Sequence, residues 1–118
     1  MSFDPASRLR AFHDAINALD FATIEAAFAE DAVYLSVGTG DTVGRDAIMV
    51  AFRRYFDTYP DQVAWNDLVE TLGPREARSH WNIKATNVRT GEPLIRRGTE
   101  TITFDETGRI VRVLVEDR

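Results

Sequence analysis

The tightest constraint on the fold lies in residues 77–117. Two turn sequences, Arg89-Thr90-Gly91-Glu92 and Asp105-Glu106-Thr107-Gly108, divide this stretch into runs 77–88, 93–104 and 109–117. Apolar and polar residues alternate along each run with the period of two that a half-buried strand requires. Taken as four-residue hairpin loops, the turns set Val88 opposite Pro93 and Phe104 opposite Arg109. The cross-strand rows are then Trp81, Glu100 and Val113; Ile83, Gly98 and Val115; and Ala85, Arg96 and Asp117, with Ile102, Phe104 and Val111 on the same face. The opposite face carries His80, Thr101 and Arg112, then Asn82, Thr99 and Leu114, then Lys84, Arg97 and Glu116. One face is apolar in all three strands at once. A one-residue slip would turn every side chain over, so this parity is strongly specified and the apolar face must be covered by the rest of the chain.

The rest of the chain supplies helices for that purpose. Asp4-Pro5 is a helix start, with Asp4 as cap and proline at the first helical position. Leu9, Phe12, Ile16 and Leu19 recur at helical spacing, which predicts a helix over 5–18. Asp20 caps a second helix, expected over 21–29 and carrying Phe28 toward its end near Glu30 or Asp31. A short strand, 32–37, follows, and Gly38, Thr39, Gly40 and Asp41 break it. A third helix is expected over 46–57, with Ile48, Phe52, Tyr55 and Phe56 as its apolar members. Tyr59-Pro60-Asp61 stops it, and 62–72 reads as one more strand before Gly73-Pro74.

With 118 residues, the chain is expected to form one domain, 1–118, around a single core. An apolar content of 44% argues against disorder, and no apolar run approaches the roughly 20 residues of a membrane helix. Together with an N-terminus that lacks a signal-peptide pattern, this leads to an expected cytoplasmic location. Cysteine is absent, which removes thiolate and Cys-zinc chemistry and suits a reducing compartment. His13 and His80 are too few and too far apart for a His-rich metal site, so no metal or cofactor is expected. The net charge of -5, with scattered arginines, argues against nucleic acid as a partner.

The order helix, helix, short strand, helix and four strands resembles the nuclear transport factor 2-like superfamily, in its SnoaL-like polyketide-cyclase and ketosteroid-isomerase-like branches. The resemblance spans nearly the whole chain. It is carried by Phe28-Ala29-Glu30-Asp31-Ala32, Gly44-Arg45-Asp46-Ala47-Ile48 and the hairpin from Thr103-Phe104-Asp105 through Gly108-Arg109-Ile110. It implies an α+β fold, a cone-shaped curved mixed sheet wrapped around three N-terminal helices (a cystatin-like roll). It also implies a pocket for a small apolar or polycyclic ligand and a homodimer through the outer sheet face. Ketosteroid isomerase uses an aspartate base with a tyrosine and a protonated aspartate as oxyanion donors. The matching positions here are Ser36, Phe12 and Glu100. Base and tyrosine are both missing, so steroid isomerisation by that mechanism is not expected. The SnoaL-like cyclases carry an acid/base aspartate near the end of the last strand, where this chain has Asp117.

Each candidate residue has two readings. Glu100 is a general acid or ligand-carbonyl donor, or a carboxylate tied to a buried tyrosine or arginine. Arg96 and Asp117 form a structural ion pair at the pocket rim, or Arg96 anchors an acidic substrate group beside an acid/base Asp117. Gly98 serves sheet curvature or leaves room for a ligand. Tyr34 and Ser36 share one side of their strand and face the cavity. Ser36 lacks a neighbouring base, and Tyr34 is a hydrogen-bond donor or a wall. Trp81, Trp65, Tyr55, Phe52 and Phe56 belong to core or pocket lining. His13 is read as a half-buried, structurally satisfied histidine, and His80 as an outer-face residue available to a dimer contact. The function expected is a cofactor-free isomerase, cyclase or lyase with Glu100 and Asp117 as catalytic carboxyls. Arg96, Trp81, Tyr34, Ser36, Phe12 and Tyr55 then form the substrate-binding set. The alternative is a non-catalytic ligand-binding or interaction domain of the same fold.

Overall fold

The computed structural model describes residues 3–36 and 40–118. Three helices, α1 (Pro5–Asn17), α2 (Phe21–Ala27) and α3 (Arg45–Thr58), pack on one curved six-stranded sheet. Its strands are β1 (Phe28–Ser36), β2 (Thr42–Val43), β3 (Val63–Gly73), β4 (Glu76–Thr86), β5 (Pro93–Phe104) and β6 (Ile110–Asp117), in the order β2-β1-β6-β5-β4-β3. β1 runs parallel to β6 and every other pairing is antiparallel, so the sheet is mixed. No described helix is long and apolar enough to cross a membrane.

The helix starts follow local chemistry. The Asp4 carboxylate accepts from the Ala6 and Ser7 N–H groups at 3.1 and 3.2 Å, and Asp20 accepts from Thr23 N–H at 3.2 Å. α1 buries Leu9, Phe12 and Ala15 and lies across β3 and β4. Its C-terminal end is tied down by the Asn17 side-chain amide, which donates to Ala64 O at 2.9 Å and accepts from Ala64 N–H at 3.2 Å. Leu19, expected in the apolar stripe, lies beyond the helix at φ 53° and is 37% exposed. It occupies the left-handed position that ends many helices.

Phe28 is a second correction. It does not ride on a helix but opens β1, where it pairs with Ile110 and is fully buried. Helix propensity over 28–30 yields to the parallel pairing with β6, and a register shift between Phe28 and Val33 absorbs the change of direction. The loop expected after β1 contains the short strand β2, with Val33 opposite Val43 and Gly44 N–H donating to Ala32 O at 2.8 Å. The expected strand end at Val37 and the Gly38-Thr39 part of the loop lie outside the described residues.

The C-terminal strands keep the expected faces but not the expected rows. Trp81 lies opposite Gly98, Ile83 opposite Arg96, and Glu100 between Ser79 and Val115. Each hairpin is displaced by two residues, an even shift that keeps the side chains on their faces as far as the bulge between β5 and β6, where Ile110 and not Val111 is the buried residue. Trp81, Glu100 and Val113 point inward and are at most 6% exposed. Both turns are longer than four residues for identifiable reasons. Asn87 Oδ1 accepts from the Arg89 and Thr90 N–H groups, and Val88 N–H donates to Thr58 O at 3.0 Å, which pulls both residues out of the ladder. Pro93 therefore pairs with Thr86. In the second turn, Asp105 Oδ1 accepts from Thr107 and Arg109 N–H, and a bulge between Thr103 and Phe104 sets Phe104 opposite Ile110.

On the outer face, His80 binds Glu70 at 2.6 Å and Thr101 is buried under Arg78, whose Nε donates to its hydroxyl at 3.1 Å. Trp65, expected in core or lining, also faces outward and is 49% exposed. It sits on the edge strand β3, opposite the outward Asn82, while Ala64 and Asn66 take the inner positions.

Candidate functional site

A cavity of about 120 Å³ opens between α1, α3 and the concave sheet face. A single water needs about 10–15 Å³ by the same measure, so the space suits a small organic molecule. Its walls are largely apolar, with Phe52 and Ile48 from α3, Ile16 from α1, and Trp81, Ile83 and Val115 from the sheet. Of the expected set, Glu100, Arg96, Trp81, Tyr34, Ser36 and Tyr55 line it. Tyr34 and Ser36 lie two apart on β1 and so share the inner face, opposite Val113 and Val115 of β6. Phe12 is a correction: it is packed in the core against Phe28 and Phe52 and does not reach the lining. Asp117 also lies off the cavity wall, in an outer cleft with Trp65, Arg97 and Arg118.

His13, expected to be half-buried and satisfied, is so, and its partner places it at the cavity. Its Nε2 lies 2.6 Å from Glu100 Oε1, and its Nδ1 lies 3.0 Å from the Asn66 side-chain nitrogen. The side chains of His13 and Glu100 are 16% and 8% exposed. Glu100 reaches the histidine because the displaced register sets it beside Ser79, beneath α1. Asn66 reaches it because the register of β3 shifts directly after this residue. Burial lowers the His13 pKa, but the Glu100 carboxylate and its hydrogen bond, with help from Asn66, outweigh that and raise it above the ordinary 6.5. Standing beside Glu100 therefore favours the protonated imidazole. An asparagine suits both charge states of the ring: its NH2 donates to a bare Nδ1, and its oxygen accepts from a protonated one.

The tyrosines are donors. Burial first, and then the Glu100 carboxylate, push the Tyr34 phenol well above its ordinary value, so it stays protonated. Burial likewise pushes Tyr55 up to about 12, and its hydroxyl donates to Gln62 Oε1. Arg96 binds Asp117 in bidentate fashion, Nε to Oδ2 at 2.8 Å and Nη2 to Oδ1 at 2.6 Å, although the two residues are not opposite in the ladder. The guanidinium lies over the Trp81 ring at 5.4 Å. Two further polar groups, the Trp81 indole N–H and the Ser79 hydroxyl, are buried without a partner among the described residues. Also among the described residues, no three His, Asp or Glu side chains gather as a metal site would require.

Gly98 does not make room for a ligand. A Cβ there would fall 2.0 Å from Glu116 O and 2.8 Å from Trp81 Cζ2. The glycine makes room for the indole and for the neighbouring strand.

The model of the SnoaL-like domain family matches residues 9–113. No curated protein sequence matches the chain. Among solved structures, the chain resembles a putative polyketide cyclase from Xanthomonas campestris pv. campestris (TM-score 0.82, 19% identity, covering 92% of this chain and 86% of that one). It also resembles Rv0760c from Mycobacterium tuberculosis, in complex with estradiol-17β-hemisuccinate (0.83, 17%, 96% and 93%). A third is the Δ5-3-ketosteroid isomerase from Mycobacterium sp. (0.82, 15%, 95% and 91%). These likenesses establish the fold.

Proposed function

The chain belongs to the SnoaL-like domain family, and we propose that it binds a small, largely apolar carbonyl compound and shifts a proton on it without a cofactor. One observation carries this reading: the buried His13–Glu100 pair stands on the wall of an otherwise apolar cavity. A buried ion pair is rarely more stabilising than apolar residues of the same volume. Its position at a cavity points to chemistry. That one fold neighbour holds a steroid ester supports a ligand of this kind.

The residues divide the work. Glu100 Oε1 is held by His13, while Oε2 has no partner among the described residues. Oε2 is the base: it takes a proton from the carbon next to the carbonyl, and the C–H electron pair moves toward the carbonyl oxygen. Tyr34 donates to that oxygen as charge develops, the kind of contact that supplies much of such catalysis. His13 steadies the carboxylate, and return of the proton to another carbon completes an isomerisation. Asp117, off the cavity wall and bound to Arg96, has no part in the proton transfer.

The test is deuterium exchange at the α-carbon of 2-tetralone in D2O, followed by NMR. Exchange above the buffer rate is expected, falling by about 100-fold or more in Glu100→Gln, the scale of a lost general base. Equal rates in both proteins would overturn the reading. The closed Arg96–Asp117 pair favours a second reading, ligand binding without turnover. Saturable 2-tetralone binding with no exchange is its signature.

The outer sheet face is proposed as a homodimer surface. Val63, Trp65, Leu68 and Ile95 are all 49% exposed or more on that face, an apolar group that a second copy would cover. Sedimentation velocity is expected to give a dimer that Trp65→Glu dissociates. A wild-type monomer at high micromolar concentration would refute this.

A further inference from the structure

We propose that Arg96 is the seat of a ligand carboxylate, that Asp117 fills this seat from within the chain, and that the cavity takes a small apolar acid whose carboxylate displaces Asp117. The inference rests on the reading of the cavity as a ligand site and adds the class of ligand.

Charge balance around the cavity motivates it. Among the described residues, three ionisable side chains other than tyrosine line the cavity, His13, Glu100 and Arg96. The first two are paired with each other within it, 2.6 Å apart. Arg96 is neutralised only by a residue outside it. The cavity therefore carries one cation whose counter-charge comes from beyond its wall.

The geometry makes an exchange inexpensive. Arg96 is the fixed partner: its side chain is 18% exposed and lies over the Trp81 ring. Asp117 is the loose one: it is 44% exposed, and among the described residues its carboxylate is held by Arg96 alone. Turning Asp117 into water costs two hydrogen bonds, which an incoming carboxylate restores in the same bidentate form. A planar guanidinium offers five N–H donors, of which Asp117 uses two. The incoming acid also buries its apolar body against Phe52, Ile83 and Trp81.

β5 sets the length of the ligand. Arg96 and Glu100 are four residues apart on the same strand face, so their Cα atoms are about 13 Å apart. The Arg96 guanidinium reaches over Trp81, which pairs with Gly98 between them. An acid held at Arg96 with its reactive carbon at Glu100 has a body of about two fused rings, and its carboxylate stays at the far end from the Glu100 charge.

The probes are 2-naphthylacetic acid and the neutral 2-naphthylacetamide, titrated calorimetrically into the wild type, Asp117→Asn and Arg96→Gln. The acid is expected to bind the wild type about tenfold more tightly than the amide, the difference between charge-assisted and neutral hydrogen bonds. Asp117→Asn removes the competitor and is expected to tighten acid binding by about tenfold again while leaving the amide unmoved. Arg96→Gln erases the preference. Equal binding of acid and amide by the wild type would overturn the proposal and leave the cavity reading standing. So would weaker acid binding by Asp117→Asn, since Asp117 would then be holding Arg96 in place. Binding of neither probe would overturn both.

Discussion

His13→Ala is expected to destabilise the protein by about 3–5 kcal/mol, the usual result of leaving a buried charge without its partner. Glu100 is 6% exposed, and the imidazole is the only cation that meets its carboxylate among the described residues. Glu100→Ala is expected to cost a similar amount by stranding the imidazolium. The double change His13→Leu, Glu100→Leu removes both charges and restores apolar volume. It is expected to be neutral or stabilising by about 1–4 kcal/mol relative to the wild type. Urea unfolding of the four proteins measures these differences. A double variant as unstable as the single ones would mean that the pair is an element of the fold and would remove the argument for its chemical role.

The same set of proteins carries a pH signature. The folded pKa of His13 lies above 6.5, so protonation favours the folded state. That contribution is complete below about pH 6.5 and is lost as pH rises through the raised folded value. The difference in stability between the wild type and the double variant is expected to move against the wild type across that window. A difference that is constant with pH would mean that the histidine is not held as a cation.

Gly98→Ala is expected to cost about 3 kcal/mol, the upper end of the range for overpacking, and to lower the melting temperature by roughly 10 °C for a chain of this size. The added carbon would meet a backbone carbonyl, Glu116 O, at 2.0 Å, and no side-chain rotation relieves such a contact. Gly98 pairs with Asp117, so the strands must part where Asp117 reaches Arg96. Trp81 Cζ2, at 2.8 Å, must also move, and it belongs to the ring on which Arg96 lies. Gly73→Ala is the control, because a carbon added there meets nothing within 4 Å. A Gly98→Ala protein that melts with the wild type would mean that β5 and β6 slide past one another at little cost.

What the amino-acid sequence determined by itself was every pattern that repeats locally. The two caps at Asp4 and Asp20, the apolar stripe of α1, the bounds of β5 and the inward parity of Trp81, Glu100 and Val113 were legible because each rests on neighbours a few residues away. The inward parity survived wrong turn lengths because an even slip preserves the side of the sheet on which a residue stands. What only the tertiary structure decided depended on partners far apart in the chain. Phe28 left its helix because Ile110, distant in sequence, offered a strand to pair with. The rows shifted because the Thr58 carbonyl drew Val88 N–H out of the ladder. Glu100 met His13, 87 residues away, and not the tyrosine or arginine expected for it. No spacing in the sequence announces such a meeting. It exists because α1 crosses the concave sheet face at one angle, and that angle is set by packing over the whole core.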